Sequence, residues 1–116
     1  MRFFQLGETA DSKFIFLDST QQPVDVTSPQ YTIVYYDGAT EVPVVALSTL
    51  THVTGKTGEY VCSWTIPTTI PINETYFVIA TGVRPDHTNA KQEDFYRVLS
   101  KDFFGGIGMT VKFTKS

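Results

Sequence analysis

Few residues in this chain have the type and spacing that chemistry requires. The two histidines, His52 and His87, lie far apart in sequence, and a metal site needs three or four converging ligands. Asp86-His87 sets an acid beside a base. Neighbouring loop side chains rarely face one another, however, and no motif ties a Ser or Cys to the pair. Both histidines therefore read as solvated loop residues. Gly55-Lys56-Thr57 ends like a phosphate-binding loop. That motif also needs Gly at position 50, which is Leu50, and a helix where a strand is expected here. Gly105-Gly106-Ile107-Gly108 lacks the strand–turn–helix setting of a dinucleotide fingerprint and reads as a hinge or bulge. The acids Asp18, Asp25, Asp37, Glu59, Glu93, Asp94 and Asp102 fall mostly at expected strand ends. Glycoside hydrolysis needs two carboxyl groups converging on a cleft, which a sandwich this small has little room to form. We expect no enzyme, no cofactor and no metal. Cys62 is the sole cysteine, so no intrachain disulfide and no Cys-rich zinc site can form. It is expected to be a buried, inert thiol.

The elements that would position these residues are strands. The chain has 116 residues, of which 41% are hydrophobic and 14% aromatic, enough for one domain with a real core. Val, Ile, Tyr, Phe and Thr fill the apolar and neutral positions, and no amphipathic helix period appears. The net charge is −3 with the basic residues dispersed. That pattern offers neither a nucleic-acid stripe nor a polybasic membrane patch. No apolar run is long enough for a membrane span or a signal peptide, and the expectation is a short reading frame translated in the cytosol.

The strongest core strand is Gly58-Glu59-Tyr60-Val61-Cys62-Ser63-Trp64-Thr65-Ile66-Pro67. Its period of two puts Tyr60, Cys62, Trp64 and Ile66 on one face. Further strands are expected over residues 13–18 (central, apolar on both faces), 31–36, 41–47, 75–83 and 93–99, with a brief pairing at 23–26. Asp37-Gly38 signals a hairpin turn, and Pro43 confines the returning strand to a sheet edge or a bulge. Residues 2–6 read as an edge strand or an arm, and residues 82–92 as a long polar loop suited to recognition. Seven or eight short, mostly antiparallel strands at near-regular spacing predict an all-β sandwich with Greek-key connections and no disulfide. Residues 1–100 are expected to form it, and residues 101–116 to continue it as a last strand or an arm.

Two resemblances follow from these motifs. Gly58-Glu59-Tyr60-Val61-Cys62 resembles a late immunoglobulin-domain strand, without the partner cysteine. More of the chain is similar to the small Ig-like β-sandwich proteins of tailed-bacteriophage virions. Gly7-Glu8-Thr9 opens the pattern, a strand ending at Asp18 follows, and then Pro23-Val24-Asp25-Val26-Thr27. The strand ending at Asp37-Gly38, the Gly58, Tyr60, Trp64 and Pro67 series, Tyr76–Val78 and residues 93–98 complete it. The resemblance implies a structural component of a virion, in the head, neck or tail, whose partners are other virion proteins and copies of itself. Read from the residues themselves, the candidate partner contacts are Phe3 and Phe4 at the N-terminus and, for surface recognition, Arg84 and His87 in the polar loop. Phe103, Phe104, Lys112 and Phe113 in the aromatic, basic C-terminus complete the set. Met109-Thr110-Val111-Lys112-Phe113 is suited either to pair with its own sheet or to be donated to a neighbour's sheet edge. The alternative function is recognition of a carbohydrate or host surface, using residues 82–92 and the aromatic pair Tyr35-Tyr36.

Overall fold

The computed structural model describes residues 2–100, and everything below concerns those residues. The expected C-terminal strand or arm, with Phe103, Phe104, Lys112 and Phe113, lies outside them. The described chain is all-β. Its strands are β1 (Arg2–Gln5), β2 (Thr9–Ile15), β3 (Thr27–Asp37), β4 (Thr40–Thr49), β5 (Thr51–His52), β6 (Glu59–Thr65), β7 (Glu74–Val83) and β8 (Asn89–Leu99). They form a five-stranded sheet in the order β1-β8-β7-β3-β4 and a three-stranded sheet in the order β2-β6-β5. All pairings are antiparallel except β1 with β8.

Alternation builds the core between the sheets. On β7, Tyr76, Val78 and Ala80 point inward and are buried, while Phe77 and Ile79 point outward. On β2, Ala10, Ser12 and Phe14 point inward. Tyr76, Tyr96 and Phe16 are the largest side chains with no exposure. Trp64 packs beside both tyrosines, with ring centroids 5.8 Å from Tyr76 and 6.5 Å from Tyr96. Burying a polar-tipped ring requires a hydrogen-bond partner; the Tyr76 hydroxyl donates to the Pro71 carbonyl. The Tyr60 hydroxyl donates to the Val26 carbonyl (3.2 Å) and accepts from the Val26 N–H (3.0 Å).

The structure corrects several expectations. The Trp-bearing strand is the centre of its sheet, but only Tyr60 and Ile66 on its inner face are buried; Cys62 and Trp64 are half-buried. For Cys62 the cause is the open cleft it lines, described below. The strand expected at 13–18 begins at Thr9 and lies at a sheet edge, with Ile15 exposed. The two-residue β5 has no counterpart in the sequence-based expectation. The Asp37-Gly38 turn is present, with Gly38 at φ +64° and Asp37 opposite Thr40. Pro43 lies on edge strand β4, at a register shift between Ile33 and Val34. An edge and a bulge together accommodate its missing N–H.

Candidate interaction surface

The outward face of the five-stranded sheet carries a row of aromatic rings. Phe77 and Phe95 are direct cross-strand partners on β7 and β8, with centroids 6.2 Å apart. Tyr36 on β3 meets Phe77 edge-to-face at 5.5 Å. Tyr36 is 43% exposed and Phe95 46%. Val34 lies on the same outward face, paired with Phe77 and Pro43, yet it is only 1% exposed. Its neighbours' side chains shield it, so a small apolar cluster exists here outside the main core. Across β8, Phe3 on β1 lies opposite Arg97 and is 52% exposed. Arg97 is tied down by a bond to the Asn73 carbonyl (2.8 Å). Rings in cross-strand contact contribute about 0.5–1.5 kcal/mol each beyond their burial, while the area they leave in water is free for a partner. This exposed aromatic cluster on a sheet face is the candidate interaction surface.

A second feature lies where the sheets meet at the side. Arg2 pairs with Asp94 of β8, and its guanidinium also donates to the Asp11 carbonyl on β2 (2.6 Å). The Ser12 hydroxyl, nearly inaccessible, donates to Asp94 (2.7 Å). Arg2 lies 5.5 Å from the ring centroids of both Phe4 and Tyr96. This network joins β1, β2 and β8 at the head of an open cleft of about 890 Å³. The cleft is walled mainly by residues 11–15 of β2, 61–63 of β6 and 92–94 of β8. Burial, reinforced by the Asp94 and Asp11 charges, pushes the Cys62 thiol beside it up to about 11. The Asp94 carboxylate already shares its charge with Arg2, and neither histidine lines the cleft. The cleft therefore presents strand edges, not an activated nucleophile.

The polar loop is shorter than residues 82–92, because β7 runs to Val83 and β8 starts at Asn89. The remaining turn is closed from within. His87 N–H donates to the Arg84 carbonyl and Arg84 N–H to the Thr88 carbonyl, both at 2.8 Å. Asp86 accepts from the Thr88 N–H and hydroxyl, and those bonds hold its carboxyl below the usual range. Arg84 spends its guanidinium on the carbonyls of Leu17 (2.7 Å) and Asn89 (2.8 Å). It is a brace between loops. His87 is exposed at φ +68°. Phe3 is outward and accessible, whereas Phe4 is half-buried and meets Tyr96 edge-to-face at 5.2 Å. Of the paired tyrosines, Tyr35 turns inward beside Tyr76 and Tyr36 outward.

His52 is not simply solvated. It lies on β5, 3.1 Å from the Asp25 carboxylate and 5.0 Å from the Tyr60 ring. Asp25 also accepts the Gly58 N–H at 2.7 Å, the first cause of its lowered pKa. His52, Asp25, Arg84, Asp86 and Asp94 are thus engaged as structural ties, and among the described residues no three His, Cys, Asp or Glu side chains cluster to hold a metal. The sequence did not show Phe77 and Phe95 as neighbours, since that depends on the β7–β8 register. No family model matches the chain, and no curated protein does either.

Proposed function

We propose that the chain is a non-enzymatic structural subunit with an Ig-like, Greek-key arrangement of its two sheets. It acts through protein–protein contacts within a larger particle. The observation that carries this reading is the outward aromatic row Tyr36, Phe77 and Phe95 over the buried Val34. That surface is an exposed aromatic cluster on hydrogen-bonded strands, which suits burial against another protein. The strand order is compatible with the Ig-like class, in which hairpins within a sheet alternate with crossings between sheets. The similarity of its motifs to tailed-phage virion sandwiches makes a virion the proposed location, as a head decoration, neck or tail component.

The test is a Phe77→Ser/Phe95→Ser double variant compared with the natural chain. Incorporation is read by immunoblot of gradient-purified particles, and folding by denaturant titration. The natural chain should co-purify with particles, and the variant should fold yet be depleted from them. A chain that stays wholly in the soluble fraction while particles form normally refutes the reading.

A second reading, recognition of a surface glycan, moves from the 84–88 turn to the same face. Exposed Tyr36, with its hydroxyl 3.4 Å from the Glu41 carboxylate, supplies a ring and an acceptor side by side. Glycan-array binding abolished by Tyr36→Ala, with particle entry unchanged, would favour it over assembly.

A further inference from the structure

The sheet edges of this fold are unequally protected. β4 is interrupted by Pro43 and by register shifts, and β5 is two residues long. β1 covers β8 only from Tyr96 to Leu99. Beyond it, residues 89–95 of β8 have no strand on the side away from β7 among the described residues. The Phe95 N–H shows which way the edge faces: it donates to its own neighbour's carboxylate, Asp94, at 2.9 Å. In an antiparallel ladder the backbone groups alternate in direction, so Lys91 and Glu93 point theirs the same way. The free edge of β2 lies on the other side of the same cleft. Two unpaired edges therefore flank one groove, and unpaired edges are templates for an added strand.

We propose that this groove is the acceptor for a strand formed by residues 109–113 of a second copy of the chain. The inference rests on the assembly reading above and supplies one of its contacts. Three observations favour that occupant. The segment Met109-Thr110-Val111-Lys112-Phe113 alternates apolar and polar residues, so one face suits the groove near Phe14 and the other suits water. Charge agrees as well. Residues 101–116 hold three lysines against Asp102, a net of +2, which leaves −5 on residues 1–100 of a chain totalling −3. Length and path favour a neighbour. Residues 101–108 reach at most about 28 Å, and β8 ends with Leu99 beside Gln5. Strand β1 stands between that point and the open edge, so a return within the same chain must climb around it. Donation to a neighbour meets no such obstacle. It is a head-to-tail contact, which builds rings or chains of subunits.

Light scattering on the full chain tests this first. The natural protein should form a concentration-dependent oligomer. Val111→Pro, which removes a donor N–H outside the described core, should weaken association by at least about tenfold. Glu93→Pro should do the same from the acceptor side, since the N–H it removes faces away from β7. A monomeric natural chain, or a Val111→Pro chain that associates normally, overturns the proposal. In a Cys62→Ser background, Lys91→Cys and Thr110→Cys chains are then mixed with a short bis-maleimide. A 91-to-110 bridge between chains is expected. A bridge formed only within the doubly substituted chain, or none, overturns it. If particles accept the Val111→Pro chain normally, the assembly reading stands and strand donation falls. If they accept neither that chain nor the natural one, the assembly reading itself fails.

Discussion

Gly58→Ala should be far more damaging than the same change at other turn glycines. Gly58, Gly38 and Gly55 all have positive φ, +76°, +64° and +79°. At each, a Cβ in the left-handed region costs about 1–2 kcal/mol. The surroundings differ. A Cβ on Gly38 or Gly55 would meet nothing within 4 Å. One on Gly58 would sit 2.8 Å from Val24 N, 2.9 Å from Phe16 O and 3.0 Å from Val24 O. Those are backbone atoms and cannot swing away as a side chain would. They also form the Val24 N–H to Phe16 carbonyl bond, while Phe16 N–H donates to the Gly58 carbonyl. Forced overpacking costs about 1–3 kcal/mol, and a strained or lost hydrogen bond adds roughly 0.5–1.5 kcal/mol. Gly58→Ala should therefore cost about 3–5 kcal/mol, against about 1–2 kcal/mol at Gly38 and Gly55. Urea titration separates the cases: with m near 1–3 kcal/mol/M, the Gly58 variant's midpoint should fall by roughly 1 M more than the others. If all three variants lie within about 0.5 kcal/mol of one another, the claim that the 23–26 segment is clamped onto the β6 turn is wrong.

Two further predictions concern ionisation. With its pKa raised from 9.0 to about 11 by burial, Cys62 should carry roughly 100-fold less thiolate near neutral pH than an ordinary cysteine and react correspondingly slowly with Ellman's reagent; labelling at the free-thiol rate in the folded protein would refute this. The same raised value stabilises the fold fully below about pH 9, and that contribution is lost as pH climbs towards 11, because the unfolded chain ionises first. Asp18, Asp25 and Asp86 have lowered pKa values, through bonds led by the Thr20 hydroxyl, the Gly58 N–H and the Thr88 hydroxyl respectively. Their contribution is present above the unfolded value of 3.8 and lost as pH falls through the lower folded values. Urea midpoints from pH 6 to 2.5 should show this acid limb, and it should flatten in an Asp18→Asn/Asp25→Asn/Asp86→Asn chain.

What the sequence revealed was whatever depends on neighbours along the chain. Alternation identified the inward set of β6, Asp37-Gly38 marked its turn, and Pro43 announced an edge or a bulge, because each is decided within a few residues. Burial was less legible. Trp64 and Cys62 share the inner phase of Tyr60, yet both are only half-buried, and Cys62 lies on the cleft that opens where β1 stops covering β8. The functional misreadings have the same origin. Arg84 and His87 looked like recognition groups because a polar loop was expected, but two strands extend into that loop and close it to a turn. Its polar atoms then satisfy Leu17, Thr88 and Asn89. Ser12, Asp94 and Arg2 carried no signal at all, since they come from three strands that meet only through the register of two sheets. Phe77 and Phe95 were not singled out from the sequence. Only the β7–β8 register makes them partners, and only β3 beside them sets Tyr36 at the end of their row and Val34 beneath it. Among the described residues the polar side chains go largely into holding strands together, and what strand pairing leaves open is one aromatic face and one groove flanked by two strand edges.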